Sequence, residues 1–191
     1  MKRVLFGLTL GAAAVLAAGC AQPGGSPSAA PPTSAAAMAA PGATRAAAPL
    51  TAKSGTNTGG RVTFDQQQGG VMVVVAVTGL PPGTTHGFHI HEKGDCSAPD
   101  AMSAGGHFNP GGKPHGQISM PDHHAGDMNN LTADSAGNAR AQFLMSDVTV
   151  APGPSSVIGR AVVVHKDPDD YRTQPTGNAG GRIACGVIAA S

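Results

Sequence analysis

Two histidines stand one residue apart in the stretch GFHIHEKGDC, which covers residues 87–96. Residues two positions apart on a β-strand point to the same face, so the imidazoles of His89 and His91 are predicted to project together. A lone histidine on a strand is usually a core residue. A pair on one face favours a metal site, because neutral imidazole is the commonest metal ligand. Cys96 follows closely and is a candidate third ligand.

Further candidate ligands are spread along the rest of the chain. Histidine combined with aspartate suits borderline metals such as zinc and copper better than magnesium or calcium, which prefer oxygen. Three loop methionines, Met102, Met120 and Met128, could add soft sulfur, although such residues more often pack or face solvent. The main candidates are His107 in GGHFNP, His115 in KPHG, His124 and Asp127 in HAGD, and His165 at the end of AVVVH.

The elements that must position these ligands are predicted to be short β-strands. The 191 residues include 28 Gly, 16 Pro, no Trp and one Tyr, which favours many turns and a core of small β-branched residues. No helical periodicity is sustained. The fold class is therefore all-β, an eight-stranded Greek-key β-barrel or sandwich of the immunoglobulin-like kind. The predicted strands are 50–54, 61–66, 71–77, 86–92, 128–133, 138–145, 160–165 and 183–189.

Turns and loops complete this prediction. The tetrapeptide DSAG at 134–137 predicts a hairpin that joins strands 128–133 and 138–145. Two stretches without a strand pattern, 93–121 and 166–181, carry much of the polar chemistry and are predicted to be long functional loops. A net charge of +1 with 12% charged residues argues against a nucleic-acid partner.

The N-terminus is predicted to be a lipoprotein-type signal peptide, residues 1–20. A basic start precedes an apolar run too short to span a bilayer, and small residues lead to Cys20, as in the bacterial lipobox. Cys20 is therefore a candidate lipidation site that anchors the protein to a membrane in the periplasm or cell envelope; the alternative is an ordinary cleaved signal. Residues 21–45, rich in Ala, Pro, Ser and Gly, are predicted to be a disordered tether. The folded domain is predicted at 46–191.

The chain has three cysteines. If Cys20 carries lipid, Cys96 and Cys185 remain as a pair in an exported, oxidising setting, which favours a disulfide. The alternative is two free buried thiols. A bridge closing so long a loop restricts the unfolded chain by about 4–5 kcal/mol at the entropic limit.

Six motifs occur in fixed order: GFHIH, GGHFNP, KPHG, HAGD, VVVH and GNAGGRIACGVI. Together they resemble bacterial copper,zinc superoxide dismutase of the exported lipoprotein type, and the resemblance covers about residues 46–190. It implies a Greek-key barrel. It also implies that the enzyme converts superoxide to dioxygen and hydrogen peroxide by a Cu(II)/Cu(I) cycle at a histidine-bridged copper–zinc site, protecting the cell envelope.

The resemblance implies one copper and one zinc per subunit. Four nitrogens suit Cu(II), and three nitrogens with one carboxylate make the closed tetrahedral set that zinc favours. His107 is implied to be a ligand of both metals and a proton donor in catalysis. The implied copper ligands are His89, His91, His107 and His165, and the implied zinc ligands are His107, His115, His124 and Asp127.

Other residues match supporting roles in the family. Asp169 is implied to link a copper-ligand histidine to a zinc-ligand histidine, with Asp167 and Asp170 as competing candidates. Arg182 is implied to lie beside copper and to orient the small anionic substrate. Cys96 and Cys185 match the family's intrasubunit disulfide.

Some alternatives stay open at this point. His86 is interpreted as structural and His123 as a solvated loop residue, although exchanging the roles of His123 and His124 fits the sequence too. The family includes both monomers and dimers, and the sequence does not decide between a monomer and a homodimer. A second functional hypothesis is a non-enzymatic lipoprotein that sequesters copper or zinc on the same scaffold.

Overall fold

A computed structural model of the chain describes residues 42–191. The predicted signal peptide, Cys20 and nearly all of the predicted tether lie outside these residues. A 3₁₀ turn, Met102–Ala104, is the one helical element of the described part. The strands are β1 Arg45–Ala52, β2 Gly59–Gln67, β3 Gly70–Thr78, β4 Thr85–His86, β5 Phe88–His91, β6 Leu131–Thr132, β7 Ala139–Met145, β8 Ala161–His165, β9 Arg182–Val187 and β10 Ala189–Ala190.

The strands form one curled antiparallel sheet and one small ladder. The sheet order is β5-β8-β9-β1-β2-β3-β7, with β10 beside β1, and β4 pairs separately with β6. Two long connections place β7 beside β3 and β9 beside β1. Such returns across other strands are the mark of a Greek key. The predicted all-β class is confirmed.

The core follows from the alternation of side chains along each strand. In β3 the valines at 71, 73, 75 and 77 are buried, whereas Met72, Val74 and Ala76 face outward. Two phenylalanines of the core, Phe64 and Phe88, are fully buried. Because period-two alternation places one face of the sheet inward, these β-branched runs enclose a continuous apolar interior.

Strand β8 is buried on both faces. Val162 and Val164 belong to the main core, while Ala161 and Val163 pack on the other side against Cys185 and the segment that contains Ala104. A strand covered on both faces reads as an unbroken apolar run, as AVVV does. The last residue of this run, His165, is therefore held on a rigid support.

Two predictions about local structure are wrong. The first strand begins at Arg45 rather than at residue 50. The turn at 134–137 does form, with Gly137 N–H donating to Asp134 O at 3.0 Å. Its flanking strands, however, do not pair with each other, since β6 pairs with β4 and β7 pairs with β3. The turn carries the chain from one ladder to another, which local sequence rules do not distinguish from a hairpin.

The long segment between β5 and β6 covers the outer edge of β5. Ile90 N–H donates to Gly126 O at 2.8 Å, and Phe108 N–H donates to Ile90 O at 2.8 Å. A Cβ at Gly126 would lie 2.3 Å from Ile90 O, so only glycine fits this approach. The edge pairing therefore fixes the neighbours His107 and Asp127 beside β5.

Within residues 42–191, no helix has the length and apolar character needed to cross a membrane.

Candidate metal centre

Two groups of buried side chains meet at the end of the sheet. Within each group, one potential ligand atom from every residue lies within 4.8 Å of the others. The four-histidine group takes two members from β5, one from β8 and one from the long segment that covers β5. The four-histidine group is His89, His91, His107 and His165, and the mixed group is His107, His115, His124 and Asp127.

His107 belongs to both groups, and its two ring nitrogens face different ways. Its Nδ1 lies 2.9 Å from Asp127 Oδ1 and 3.4 Å from His124 Nδ1, in the mixed group. Its Nε2 is buried without a hydrogen-bond partner, which leaves that nitrogen for the four-histidine group. In the four-histidine group, His91 Nε2 and His165 Nε2 are 3.3 Å apart.

Within residues 42–191, three buried histidine nitrogens of this centre lack a hydrogen-bond partner: His89 Nδ1, His107 Nε2 and His115 Nδ1. His115 Nδ1 lies 3.0 Å from Asp127 Oδ1 but without the direction of a hydrogen bond. Buried polar atoms are almost always satisfied, so three orphans facing two clusters indicate lone pairs reserved for cations. The donor set fits copper in the four-histidine group and zinc in the mixed group.

In two members of the four-histidine group, His91 and His165, one ring nitrogen is held by a hydrogen bond to a backbone carbonyl. His91 Nδ1 donates to Gly105 O at 2.9 Å, and His165 Nδ1 donates to Gly180 O at 3.3 Å. Each bond places the proton on Nδ1 and leaves Nε2 with a free lone pair. Such partners fix the tautomer and the ring orientation that a metal requires.

Asp169 joins the two groups. Its Oδ2 accepts from His89 Nε2 at 2.8 Å and its Oδ1 accepts from His115 Nε2 at 3.0 Å. The competing candidates do not reach the site: Asp170 Oδ2 accepts from the Thr173 hydroxyl at 2.6 Å, and Asp167 is exposed. The carboxylate that couples the two sets is therefore Asp169.

Space around Asp169 is closely limited. A Cβ added at Gly177, whose φ is +66°, would lie 1.7 Å from Asp169 Oδ1 and 2.6 Å from His115 Nε2. Both the positive φ and the close approach require glycine at this position.

Burial keeps most of these imidazoles neutral. It lowers the pKa of His89, His91 and His165, and it lowers that of His107 to about 4 despite the carboxylate beside it. Burial also acts to lower the pKa of His115, but the two neighbouring carboxylates, Asp127 and Asp169, outweigh burial and raise the value to about 9. Neutral imidazole is the form that binds metal, so a metal in the mixed group must displace the His115 proton.

Asp127 is the one anionic member of the mixed group. Burial acts to raise its pKa, but the group's three histidines, which lie beside the carboxylate, hold the pKa far below the ordinary range. Its Oδ2 accepts from the backbone N–H of His124 at 2.8 Å and of Gly116 at 3.0 Å. The carboxylate is thus ionised and oriented before any metal arrives.

Arg182 lies at the start of β9, beside the four-histidine group. Its guanidinium donates to Ala101 O at 2.7 Å and to Gly105 O at 2.6 Å. Gly105 O is also the acceptor for His91, so one carbonyl positions both side chains. Arg182, His91 and His165 line one cleft of about 400 Å³.

The predicted disulfide between Cys96 and Cys185 is confirmed, and the alternative of two free thiols is wrong. Cys185 is fully buried on β9, three residues beyond Arg182. The bridge therefore ties the strand that carries Arg182 to the loop whose carbonyls hold the guanidinium.

The two remaining histidines lie outside both groups. His86 uses both ring nitrogens, with His165 O at 2.9 Å and the Thr84 hydroxyl at 2.7 Å. His123 is buried, so its interpretation as a solvated residue is wrong: its Nδ1 donates to Met120 O at 2.7 Å. His124, and not His123, joins the mixed group.

Sequence reasoning missed one residue that supports the bridge. Asn130 Nδ2 donates to Asp169 O at 2.9 Å, and Asn130 Oδ1 accepts from Asp169 N–H at 3.0 Å. The Asn130 backbone N–H also donates to the hydroxyl of Tyr171 at 2.8 Å. Nothing local signals this role, because the partners are 39 residues apart.

Replacing Asn130 with alanine is expected to weaken zinc and copper binding about ten-fold, the lower end of the effect of losing a group behind a metal ligand. The reason is that Asp169 loses both bonds that seat its backbone. Chelator competition measures the affinities. The control is Asn129→Ala, since the structure of 42–191 shows no hydrogen bond from the Asn129 side chain. Equal affinities in the two variants would refute the role of Asn130.

Comparisons with known proteins show which family this sequence resembles. Residues 58–188 match the sequence pattern of the family described as copper/zinc superoxide dismutase. Superoxide dismutase [Cu-Zn] 2 of Aquifex aeolicus is 46% identical over 133 residues, which cover 68% of this chain and 78% of that protein. Superoxide dismutase [Cu-Zn] 1 of the same organism is 45% identical over 133 residues, covering 68% of this chain and 79% of that protein.

Solved structures give the same picture of the fold. The crystal structure of the clock protein EA4 is 43% identical, with a TM-score of 0.71, and the match covers 78% of this chain and 95% of that one. A SOD-like protein from Bacillus subtilis is 36% identical, with a TM-score of 0.66, and the match covers 73% of this chain and 95% of that one.

Proposed function

Because the chain belongs to the copper/zinc superoxide dismutase family, we propose that the four-histidine group holds its copper and the mixed group its zinc, with His107 shared. The observation that carries this assignment is the set of three buried histidine nitrogens in the two groups that have no hydrogen-bond partner in the described part of the chain. Imidazole nitrogens suit copper, and three nitrogens with a carboxylate suit zinc. The enzyme dismutates superoxide.

The overall reaction consumes two superoxide ions and two protons and forms one dioxygen and one hydrogen peroxide. Copper held by His89, His91, His107 and His165 would supply a one-electron couple for this reaction. The protein itself must bind a small anion and supply a proton. When it does not bind the metal, His107 Nε2, which has no hydrogen-bond partner within residues 42–191, would hold a proton and release it to peroxide.

Arg182 is proposed to bind and orient the substrate. Its guanidinium is fixed by two carbonyls and lines the cleft with His91 and His165, so its charge is presented in a set direction. A cleft of about 400 Å³ admits a diatomic anion and water easily. A fixed positive charge in a confined cleft raises the local concentration of an anion and its rate of encounter.

Replacing Arg182 with alanine is expected to lower kcat/KM about ten-fold or more and to flatten its dependence on salt, because the steering charge is lost. Pulse radiolysis at increasing ionic strength measures both quantities. Arg182→Lys should lie between, since it keeps the charge but loses the paired hydrogen bonds. An unchanged rate and salt slope in Arg182→Ala would contradict the role.

Neutralising Asp100 is expected to have the opposite effect on kcat/KM. Its exposed carboxylate lines the same cleft and repels an anion. Asn in its place keeps an acceptor for Met102 N–H, now 3.0 Å from Asp100 Oδ1. Asp100→Asn should raise kcat/KM on the order of two-fold at low salt, as removal of one solvent-exposed charge does.

The proposed place of action is the cell envelope, where the enzyme would remove superoxide formed outside the cytoplasm. The support is the sequence of residues 1–20, with a basic start, an apolar run and Cys20 after small residues. Fractionation of cells that express the full chain tests it. We expect membrane-bound protein that Cys20→Ser converts to a non-acylated form; cytoplasmic protein with an intact N-terminus would contradict it.

Elemental analysis beside the dismutase rate tests the metal assignment. The purified full chain should contain one copper and one zinc. His165→Ala, which removes a residue of the four-histidine group alone, should lose copper and activity but retain zinc. His124→Ala, which removes a residue of the mixed group alone, should lose zinc first. Loss of the opposite metal in either variant would overturn the assignment, and two bound metals without activity would favour sequestration.

A further inference from the structure

The cleft beside the four-histidine group contains one sulfur atom that the dismutase reaction does not use. Met102 lines this cleft together with His91, His165, Asp100 and Arg182. With 61% of its surface exposed, it is the most exposed large apolar side chain of residues 42–191. Methionine side chains are usually buried, where they contribute hydrophobic stabilisation. Met102, at the mouth of the metal site, makes no such contribution.

The backbone that carries Met102 is firmly held. The carbonyls of Ala101 and Gly105, which flank the 3₁₀ turn, accept the two hydrogen bonds of Arg182. The side chains of Ala101 and Ala104 are fully buried, and Met102 N–H donates to Asp100 Oδ1 at 3.0 Å. The backbone that carries the thioether therefore has a fixed position at the cleft, on a turn that is anchored on both sides.

Two other methionines show that this placement is particular to Met102. Met128 is fully buried and belongs to the main core, where methionine fills space. Met120 is 43% exposed, but it does not line the cleft. Among the residues that line the cleft, Met102 is the only sulfur donor.

The chemistry of the cleft makes a soft donor useful. A copper ion that approaches His91 and His165 through this cleft meets the positive charge of Arg182, which also lines it and repels cations as it attracts superoxide. The Asp100 carboxylate is a hard donor with no preference for copper. A thioether is neutral at every pH and favours Cu(I) over hard cations such as magnesium and calcium. The neutral sulfur can therefore bind an approaching Cu(I) ion despite the nearby positive charge of Arg182.

We propose that Met102 is a capture ligand for Cu(I), which holds the ion at the mouth of the cleft and passes it to His91 and His165. The step is ligand exchange: a Cu–sulfur bond breaks as Cu–nitrogen bonds form, and no electron moves. The proposal rests on the assignment of the four-histidine group to copper. It adds a transient site that neither the reaction nor that assignment requires.

Copper uptake by zinc-loaded, copper-free full-length protein tests the proposal. Cu(I) is supplied as its bicinchoninate complex, and loss of the complex's absorbance gives the rate of transfer and its end point. Met102→Leu, which keeps the size and apolar character, should take up Cu(I) about ten-fold more slowly, as expected for one lost ligand. Its end point should stay at one copper per chain. Met120→Leu, the matched control, should load at the wild-type rate.

Cu(II) is the second probe, because a thioether favours Cu(I). Cu(II) uptake should be equal in wild type and Met102→Leu. Equal Cu(I) rates in these two proteins would overturn the proposal. So would an equal slowing of Cu(I) and Cu(II), which would mean that the substitution changes access rather than ligation. The copper assignment itself fails if wild type binds no copper or if His165→Ala still binds one copper. Neither of these results depends on Met102, so failure of the assignment can be told apart from failure of the capture proposal.

Discussion

Replacing His107 with alanine is expected to abolish dismutation. The loss should exceed the roughly 100-fold that follows when a group behind a metal ligand is removed, because this residue is itself in both groups. Each group would be left with three ligands, and the only side chain common to both would be gone. The atom proposed to deliver a proton to peroxide would be lost as well.

The same substitution should also destabilise the metal-free protein. Asp127 would lose the hydrogen bond with His107 Nδ1, now 2.9 Å long, and remain a buried anion with fewer partners. Removing one partner of a buried charged hydrogen bond typically costs about 1–3 kcal/mol. Urea unfolding of metal-free protein measures this part separately from the catalytic loss.

Three measurements define the outcome for His107→Ala: the dismutase rate by pulse radiolysis, the copper and zinc content, and the absorption spectrum of protein with cobalt in place of zinc. We expect weaker binding of both metals and an altered cobalt spectrum. The control is His123→Asn, a buried histidine of the same segment that belongs to neither group. A His107→Ala protein that keeps a tenth of the wild-type rate would contradict the proposed bridge.

Removing the disulfide is expected to have the largest effect on stability. The bridge joins residues 89 positions apart, and loss of a native disulfide typically costs about 2–5 kcal/mol. For a domain of this size about 3 kcal/mol corresponds to a fall in Tm of roughly 10 °C. The double variant Cys96→Ser, Cys185→Ser should show this fall by calorimetry, whereas Cys20→Ser should not.

The disulfide should affect catalysis through Arg182. The bridge ties β9, which begins at Arg182, to the loop whose carbonyls at Ala101 and Gly105 hold the guanidinium. Without the bridge this loop can move away from β9. We therefore expect kcat/KM to fall in folded double variant well below its melting temperature. An unchanged free energy of unfolding, or full activity at that temperature, would show that the loop is held by other contacts.

Much of the fold could be predicted because strand patterns are local. The alternation in β3 and the buried run in β8 are visible in single stretches of sequence, and the all-β class follows from them. Strand pairing is not local. The turn at 134–137 has the residues of a hairpin, yet β6 pairs with β4 and β7 with β3. The choice depends on which distant strand offers a free edge, and a turn tetrapeptide carries no information about that.

The same limit applies to side-chain environments. His123 has the polar neighbours of a solvated loop residue, yet the folded loop buries it against the carbonyl of Met120. Asn130 looks like any loop asparagine until the chain returns 39 residues later with Asp169. Contacts between loops arise only when both are fixed by the strands that they connect.

By itself the sequence determined which candidate ligands and cysteines this protein has. It gave the donor types, their order, the spacing that places His89 and His91 two residues apart, and a pair of cysteines suited to a bridge. These are properties of single residues and short repeats. Only the tertiary structure decided that donors from β5, β8 and the long segment between β5 and β6 converge, that the two nitrogens of His107 face different groups, and that burial lowers the pKa of most of the imidazoles. Convergence, ring orientation and burial depend on distances between segments far apart in the chain, which folding alone brings within bonding range.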